Sequence, residues 1–343
     1  MNTFEIRGNQ GISKILTGEK LAAYRNFCIG RQVVVITDAN VQRLYGHHWT
    51  DLPVIITDPG EAAKNLLSIE KIVHELLQLN ADRNTFLLGV GGGIVCDMTG
   101  FTASIYMRGV RFGYVATTLL AQVDASVGGK NGVNFEKYKN TIGVFNQPDF
   151  VICDPEALQT LPDNEISNGF AEIIKHAIIK DEAMFSFIEN NTTNLLNLDK
   201  EVIEHVVQTS VKIKAELVND DEKDQGIRRL LNFGHTFGHA IEKTTGLGHG
   251  KAVSLGMVIA SKLSADMGYL MASDVERIKR LLMKFNLPVE IDLNFAEILD
   301  AISKDKKREG DSIHFILAEK IGKAIIKELP MNKIINFQFK QRS

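Results

Sequence analysis

The first half of the chain alternates short apolar runs with helical segments, and this alternation restricts the fold more than any other feature. Five runs rich in β-branched and aromatic residues lie at 32–37, 53–57, 85–90, 114–118 and 150–154. Their continuous apolar character predicts strands covered on both faces, as in a parallel sheet. Apolar residues at helical spacing predict a helix over 61–79. We therefore predict a layered α/β domain over residues 1–155.

The pattern changes after Asp154-Pro155. From there to about residue 303, apolar residues at three- and four-residue spacing predict consecutive helices, of which 201–218 is the clearest. Residues 313–329 predict a small hairpin with Gly322 near its turn. At 343 residues the chain is too long for one ordinary domain. We therefore predict a second, mostly α-helical domain over 156–343.

Composition excludes several classes of partner. The formal net charge of −3 gives no reason to expect nucleic acid or an anionic membrane surface, so a bound anion must be held by local basic groups. The three cysteines are widely spaced without a CxxC pair, which indicates reduced thiols. No apolar run reaches the ~18–20 residues of a membrane span, and the N-terminus lacks a signal-peptide pattern. We expect a soluble, cytoplasmic protein.

A glycine-rich segment, "TFLLGVGGGIVCDMTGF" at 85–101, leads from a predicted strand into a predicted helix. Glycines there would let the backbone approach a pyrophosphate at a helix N-terminus. The segment does not fit GxGxxG, and a tight turn without ligand remains an alternative. Asp38 follows the first strong strand and could accept from ribose hydroxyls. Glu61 and Lys64 open the next helix, where acidic residues are also ordinary helix-start chemistry.

Three histidines lie within fifteen residues, at His235, His239 and His249. The first two are four apart in a helical context, so both project from one face. A catalytic divalent metal usually takes three histidines, or two and a carboxylate, and keeps one position open. Glu172, on an apolar helix, is the carboxylate candidate. A Glu172–Lys175 salt bridge at i, i+3 explains that glutamate equally well at this stage.

Together these segments closely resemble the 3-dehydroquinate synthase family. The resemblance is carried by "PGEAAK", "GGGIVCDMTGF", "YMRGV", "TTLLAQVDASVGGKNGVN", "KNTIGVFNQP", "TLPDNEISNGFAEIIKHA", "LLNFGHTFGHAIE", "HGKAV" and "DKK". It implies a Rossmann-like NAD-binding α/β domain followed by a mostly α-helical domain that binds Zn²⁺, with Co²⁺ as a possible substitute. It also implies a homodimer.

The resemblance assigns roles to individual residues. It implies Glu172, His235 and His249 as metal ligands, with His239 in the substrate pocket. Implied NAD contacts are Asp38, Glu61, Lys64, Gly91, Gly92, Asp97, Thr117, Thr118, Lys130, Lys139 and Thr160. The implied substrate and catalytic residues are Arg108, Asp124, Lys130, Asn140, Lys175, Lys214, Arg228, Asn232 and one of Lys306 and Lys307. The sequence departs from the family pattern at Lys251, His176 and the 131–138 loop.

The implied reaction converts 3-deoxy-D-arabino-heptulosonate 7-phosphate, a phosphorylated sugar acid, into 3-dehydroquinate and phosphate. Oxidation by NAD, phosphate elimination, reduction and aldol ring closure follow one another at the zinc site, within the shikimate pathway to aromatic amino acids. Three alternatives remain: another sugar-phosphate cyclase, a metal-dependent polyol dehydrogenase, and a nucleotide-binding protein without turnover. Arg228 and Asn232 favour a substrate that carries a carboxylate.

Overall fold

The computed structural model describes residues 2–8, 11–136, 138–291, 295–303, 312–330 and 334. These residues form two compact units. The first contains residues 1–169 and 198–223, and the second contains residues 170–197 and 224–343. The predicted residues Lys306 and Lys307 lie outside the described part of the chain.

A mainly parallel sheet is the centre of the first unit. Its strands are β1 (Asn2–Gly8), β2 (Gly11–Thr17), β3 (Val33–Asp38), β4 (Val54–Thr57), β5 (Phe86–Gly91), β6 (Phe112–Ala116) and β9 (Phe150–Cys153). The described strands lie in the order β1-β2-β9-β6-β5-β3-β4, and only β1 and β2 pair antiparallel. A separate hairpin pairs β7 (Lys130–Phe135) with β8 (Tyr138–Phe145). The predicted α/β class and the five predicted strands are confirmed.

Helices follow the parallel strands, as crossover connections require. They are α1 (Ala39–Tyr45), α2 (Leu66–Gln78) and α3 (Gly93–Ile105). The predicted helix 61–79 is wrong at its start, because Glu61–Ala63 forms a separate 3₁₀ turn. Asn65 is the N-cap of α2, and its side chain accepts a hydrogen bond from the Ser68 N–H. Leu66 and Leu77, at the ends of the predicted apolar face, are exposed.

The core of the first unit fills the space between sheet and helices with large side chains. Trp49 is fully buried beside Phe86 and Phe150, whose rings stack with centroids 5.7 Å apart. β3 and β5 bury nearly all their side chains, which explains their continuous apolar sequences.

One later helix also belongs to the first unit. α7 (Lys200–Asp220) packs against β1 and β2, and Asn219 of α7 accepts a hydrogen bond from the Arg7 N–H at 2.8 Å. α7 confirms the helix predicted at 201–218. The domain boundary at 155/156 stays a prediction. The compact unit that contains the sheet continues past this boundary to residue 169 and also includes residues 198–223.

Helices dominate the second unit. They are α4 (Asp163–Lys180, of which residues 170–180 belong here), α5 (Glu182–Asn190), α6 (Thr192–Leu196), α8 (His235–Thr245), α9 (His249–Asp266), α10 (Ala272–Lys284) and α11 (Phe295–Ser303). The predicted hairpin is confirmed: β10 (Ser312–Lys320) pairs antiparallel with β11 (Lys323–Pro330). No described helix is long and apolar enough to cross a membrane.

The contact between α8 and α9 is unusually close. A Cβ added to Gly256 on α9 would lie 2.0 Å from the carbonyl oxygen of Gly234 and 2.7 Å from the backbone nitrogen of Gly238. The two backbones therefore meet without a side chain between them. Phe237 and Ile241 of α8 pack into the core of the unit together with Ala252 and Leu255 of α9.

Candidate active site

Three potential metal ligands converge in the second unit from three helices. Glu172 comes from α4, His235 begins α8 and His249 begins α9. The Nε2 atoms of His235 and His249 lie 3.5 and 3.4 Å from Oε1 of Glu172. One ligand atom from each residue lies within 4.8 Å of the others. Two imidazole nitrogens and one carboxylate are a suitable donor set for a divalent metal with an open position.

The second nitrogen of each imidazole also has an oxygen nearby. The Nδ1–H of His235 donates to the backbone carbonyl of Phe233 at 3.2 Å. Nδ1 of His249 lies 3.7 Å from Oε2 of Glu242 on α8. In metal sites, such outer contacts fix the ring and leave the other nitrogen free to bind the ion.

Glu172 is a fully buried carboxylate with a cation beside it. Lys175 forms an ion pair with Oε2 of Glu172, and its side chain is only 2% exposed. Oε1 faces the two histidines, so the salt bridge and the converging imidazoles use different oxygens. Burial would raise the pKa of Glu172, but the Lys175 cation outweighs it and holds that pKa well below its ordinary range. Glu172 is therefore charged.

The two histidines differ in protonation. Burial, and next the Lys175 cation, hold the pKa of His235 well below its ordinary value, so its ring is neutral. Burial would also lower the pKa of His249, but the carboxylates of Glu172 and Glu242 outweigh it and raise that pKa to about 9. Without an ion, His249 carries a proton between two carboxylates, and metal binding at such a site releases a proton.

His239 completes a cluster of three imidazoles. Its ring centroid lies 5.3 Å from that of His235 and 6.4 Å from that of His249. Arg228 and Asn232 lie in the 3₁₀ turn Ile227–Asn232, just before α8. Arg228 is one of the largest fully buried side chains, whereas Arg229 beside it is partly exposed.

In the first unit, several predicted cofactor residues lie at the carboxyl ends of parallel strands, which meet at one edge of the sheet. Asp38 ends β3, Gly91 ends β5, and Thr117 follows β6. Asp38 also caps α1, because Oδ1 accepts from the Asn40 and Val41 N–H groups at 2.8 and 3.0 Å. Gly92 is the N-cap of α3 and makes no side-chain capping bond.

Close packing explains at least one glycine of the glycine-rich segment 85–101 without a ligand. A Cβ on Gly91 would lie 2.6 Å from Cβ of Val95, so a side chain does not fit there. The hydroxyl of Thr117 is buried without a hydrogen-bond partner among the described residues. A tight turn therefore accounts for Gly91, whereas the unpaired hydroxyl fits a polar ligand.

Lys64, Asp97 and Asn140 form a polar cluster in the same unit. Lys64 makes an ion pair with Asp97, and its ammonium donates to Oδ1 of Asn140 at 2.5 Å. Burial raises the pKa of Asp97 to about 6, although Lys64 opposes this. Lys139 lies 3.9 Å from Oε1 of Glu61, which also accepts from the Asn134 amide at 2.8 Å. Four predicted cofactor residues, Lys64, Asp97, Lys139 and Glu61, and one predicted substrate residue, Asn140, thus form three contacts.

Other predicted residues of the first unit lie apart from these contacts. The Lys214 ammonium donates to the backbone carbonyl and a carboxylate oxygen of Asp124, both at 2.5 Å. The Thr160 hydroxyl lies 2.7 Å from the Tyr45 hydroxyl. Thr118 is partly buried, and its hydroxyl accepts from the Ala121 N–H. Arg108 and Lys130 are exposed.

Comparison with known families and proteins decides the relationship. The family model for the 3-dehydroquinate synthase N-terminal region matches residues 54–168, and that for the 3-dehydroquinate synthase C-terminal region matches 169–308. A 3-dehydroquinate synthase of Campylobacter concisus is 45% identical over 306 residues, covering 86% of this chain and 87% of the relative. Another, of Thermodesulfovibrio yellowstonii, is 41% identical over 321 residues, covering 90% and 89%. The chain belongs to the 3-dehydroquinate synthase family.

A solved structure extends this relationship beyond the 3-dehydroquinate synthase family. The 2-epi-5-epi-valiolone synthase of Streptomyces hygroscopicus subsp. jinggangensis, solved with NAD⁺ and Zn²⁺ bound, superposes with a TM-score of 0.86 at 26% identity, covering 94% of each chain. That enzyme and this chain share a fold of strand–helix alternation followed by helices.

For this member of the 3-dehydroquinate synthase family, the structure adds one residue that sequence reasoning missed. Glu242 lies seven residues after His235 and three after His239, so all three project from one face of α8. The i, i+4, i+7 spacing of His, His and Glu was the signal that could have revealed it. The remaining predicted substrate residues, Lys306 and Lys307, lie outside the described residues.

Proposed function

We propose that this chain converts 3-deoxy-D-arabino-heptulosonate 7-phosphate into 3-dehydroquinate and phosphate. It is an enzyme of the phosphate-eliminating lyase class within the 3-dehydroquinate synthase family. The observation that carries the assignment to this site is the convergence of Glu172, His235 and His249 beside the buried Lys175.

The donor set fits Zn²⁺, or Co²⁺ in its place. Both carboxylate oxygens of Glu172 are buried without a hydrogen-bond donor in the described part of the chain, apart from the ion pair with Lys175. An ion held by Glu172, His235 and His249 would satisfy Oε1. When bound, the metal supplies a Lewis acid for neighbouring substrate oxygens. The protein's part is to hold three ligands in place and to keep one position open.

The first unit fits NAD. Asp38 uses only Oδ1 for its capping bonds, which leaves Oδ2 to accept from a ribose hydroxyl. The backbone N–H groups at the start of α3 suit a pyrophosphate, because the helix dipole favours negative charge there. Thr117 offers a buried hydroxyl to the same ligand. When bound, NAD⁺ supplies a hydride acceptor, and the reaction returns the hydride within the same cycle.

Basic groups account for binding of a doubly anionic substrate by a protein of net charge −3. The Arg228 guanidinium can donate two parallel hydrogen bonds to the substrate carboxylate, and Asn232 in the same turn can donate a further one. Lys175 provides a buried cation beside the metal ligands. We propose phosphate and hydroxyl contacts for Arg108, Asp124, Lys130, Asn140, Lys214 and His239, with one of Lys306 and Lys307.

One assay tests this function. Purified protein, zinc and NAD⁺ should release phosphate from the heptulosonate phosphate, and omission of NAD⁺ or addition of a chelator should stop the release. Absorbance at 340 nm, read in parallel, should show no steady gain of NADH. Accumulation of NADH in step with substrate loss would instead identify a polyol dehydrogenase. Phosphate release only from a substrate without a carboxylate would identify another sugar-phosphate cyclase.

We further propose a homodimer in the cytoplasm. Cys28, Cys96 and Cys153 are all free and buried, which supports a reducing compartment. The homodimer is expected from the resemblance alone. Light scattering during size-exclusion chromatography tests it, and a mass of one chain would contradict it.

A further inference from the structure

Glu242 is a charged residue to which the sequence analysis gives no role, and it lies directly behind one proposed metal ligand. Its Oε2 is 3.7 Å from Nδ1 of His249, and its side chain is mostly buried. Nε2 of the same ring is 3.4 Å from Oε1 of Glu172. The His249 imidazole therefore lies between two carboxylates, one at each nitrogen.

This arrangement does not make Glu242 a ligand. Nδ1 and Nε2 are on different sides of an imidazole ring, and it is Nε2 that lies beside Glu172. Glu242 is absent from the group of described residues whose ligand atoms lie within 4.8 Å of one another. Its contact is with the side of His249 that faces away from that group.

His249 needs such support more than the other two ligands do. It is the first residue of α9 and follows the short loop Gly246–Gly248, in which Gly246 has a φ of +72° and an added Cβ would meet nothing within 4 Å. Its side chain is 32% exposed, whereas those of His235 and Glu172 are 10% and 0% exposed. Less of the His249 ring is therefore covered by packing than of the other two side chains, so a side-chain partner matters more for its orientation.

The two histidines are held by different means. The Nδ1–H of His235 donates to a backbone carbonyl, that of Phe233. The corresponding group near His249 is the Glu242 side chain, which α8 carries on the same face as His235 and His239. We propose that Glu242 is a positioning residue: it accepts the Nδ1–H of His249, fixes the ring and so presents Nε2 to the metal. The proposal rests on the proposed metal site.

The zinc affinities of the Glu242→Ala and Glu242→Gln variants test the proposal. They are measured by competition with a chromophoric chelator. Loss of an outer partner of a metal-bound histidine typically costs 10–100-fold in metal affinity. We expect a loss of that size for Glu242→Ala and a smaller loss for Glu242→Gln, because an amide oxygen still accepts from Nδ1–H. The visible spectrum of the Co²⁺-substituted variants should change with the ligand geometry.

A matched control separates positioning from general stability. Glu276→Gln removes an exposed carboxylate of the same unit that pairs with Lys279 at 3.5 Å, and it should leave zinc affinity unchanged. The metal-free Glu242 variants should still unfold cooperatively, at a slightly lower temperature than the metal-free wild type, because the Glu242–His249 ion pair is lost. Zinc affinity of Glu242→Ala within threefold of wild type overturns the proposal. So does an unchanged Co²⁺ spectrum; if Glu242→Ala does not fold, Glu242→Gln decides. A wild-type chain that binds no zinc overturns the proposed function as well.

Discussion

Arg228 is the residue that we propose for binding the substrate carboxylate. It is 1% exposed, in the turn that precedes helix α8. A guanidinium is seldom buried this deeply unless charged or polar groups surround it. Its planar fork matches a carboxylate with two parallel hydrogen bonds, which an ammonium group cannot reproduce.

We predict that Arg228→Lys lowers kcat/KM for the heptulosonate phosphate by roughly 30-fold or more. Breaking a desolvated charge pair typically costs ~2–5 kcal/mol, at about 1.4 kcal/mol per tenfold. Zinc content and NAD⁺ affinity should stay near those of the wild type. Steady-state kinetics measure the effect.

Arg229→Lys is the matched control, because Arg229 is partly exposed in the same turn. It should change kcat/KM by less than threefold, roughly 0.6 kcal/mol. A damaging Arg229→Lys beside a silent Arg228→Lys would contradict the assignment of the carboxylate contact.

The candidate site was only partly predictable at this scale. Spacing identifies His235 and His239 as one face of a helix, but it cannot bring Glu172, sixty-three residues earlier, to them. The resemblance supplied that ligand set. Glu242 was missed because a glutamate near the end of a helix ordinarily faces solvent. Glu242 lies beside His249, and only the fold brings these two residues together.

Among the secondary-structure elements, the α8–α9 pair carries two of the three ligands of the proposed metal site. Each helix begins with a histidine of the cluster, so the distance between the two helices sets the distance between the ligands. Gly256 allows the close approach, since a Cβ there would meet the backbone of Gly234 and Gly238. Gly234 immediately precedes His235.

We predict that Gly256→Ala destabilises the second unit and weakens zinc binding. Overpacking typically costs ~1–3 kcal/mol, and we expect a value at the upper end because the added Cβ would meet backbone atoms, which cannot rotate away. Thermal unfolding with and without zinc measures both effects.

Gly248→Ala serves as the control for this element. Gly248 has a φ of −61°, and an added Cβ would meet nothing within 4 Å. Its free energy of unfolding should stay within about 1 kcal/mol of wild type. Equal melting temperatures for Gly256→Ala and wild type would show that the close contact is not required.

Most elements could be predicted from the sequence, and the failures have physical causes. The buried strands β3 and β5 are apolar throughout, so their sequences identify them without ambiguity. β1 was missed because it is an edge strand with most side chains exposed, and it lacks the continuous apolar run. The start of α2 was misplaced because the Asn65 cap, not the acidic Glu61, begins the helix.

At the scale of the whole chain, the division into two units is not collinear with the sequence. α7 packs with β1 and β2, although the residues on both sides of it along the chain belong to the second unit. An amphipathic pattern shows that α7 is a helix with a buried face, but not which core covers that face. Fold class was therefore predictable, whereas the composition of each unit was not.

The stability of the first unit should depend on Asp97. Burial raises the pKa of its carboxyl from 3.8 to about 6, against the opposing Lys64 and Lys214 and with support from Glu61. Because the folded state binds the proton more tightly, this contribution is fully present below pH 3.8 and is lost as the pH rises through about 6. The loss amounts to about 3 kcal/mol at 1.36 kcal/mol per pKa unit.

Asp97→Asn should remove this part of the pH dependence. Between pH 3 and 8, the free energy of unfolding of the wild type should change by about 3 kcal/mol more than that of Asp97→Asn. Urea unfolding followed by fluorescence measures this, since Trp49 is the sole tryptophan and is fully buried in the first unit. Identical pH profiles for the two proteins would contradict the assigned titration.

The most direct test of the account is the zinc content of His235→Ala, measured after purification together with phosphate release and circular dichroism. With Glu172, His235 and His249 as the ligands, the wild type should hold one zinc per chain. The variant should hold almost none, release no phosphate and keep its helical spectrum. A variant that folds and retains full zinc would remove His235 from the ligand set and contradict the proposed metal site.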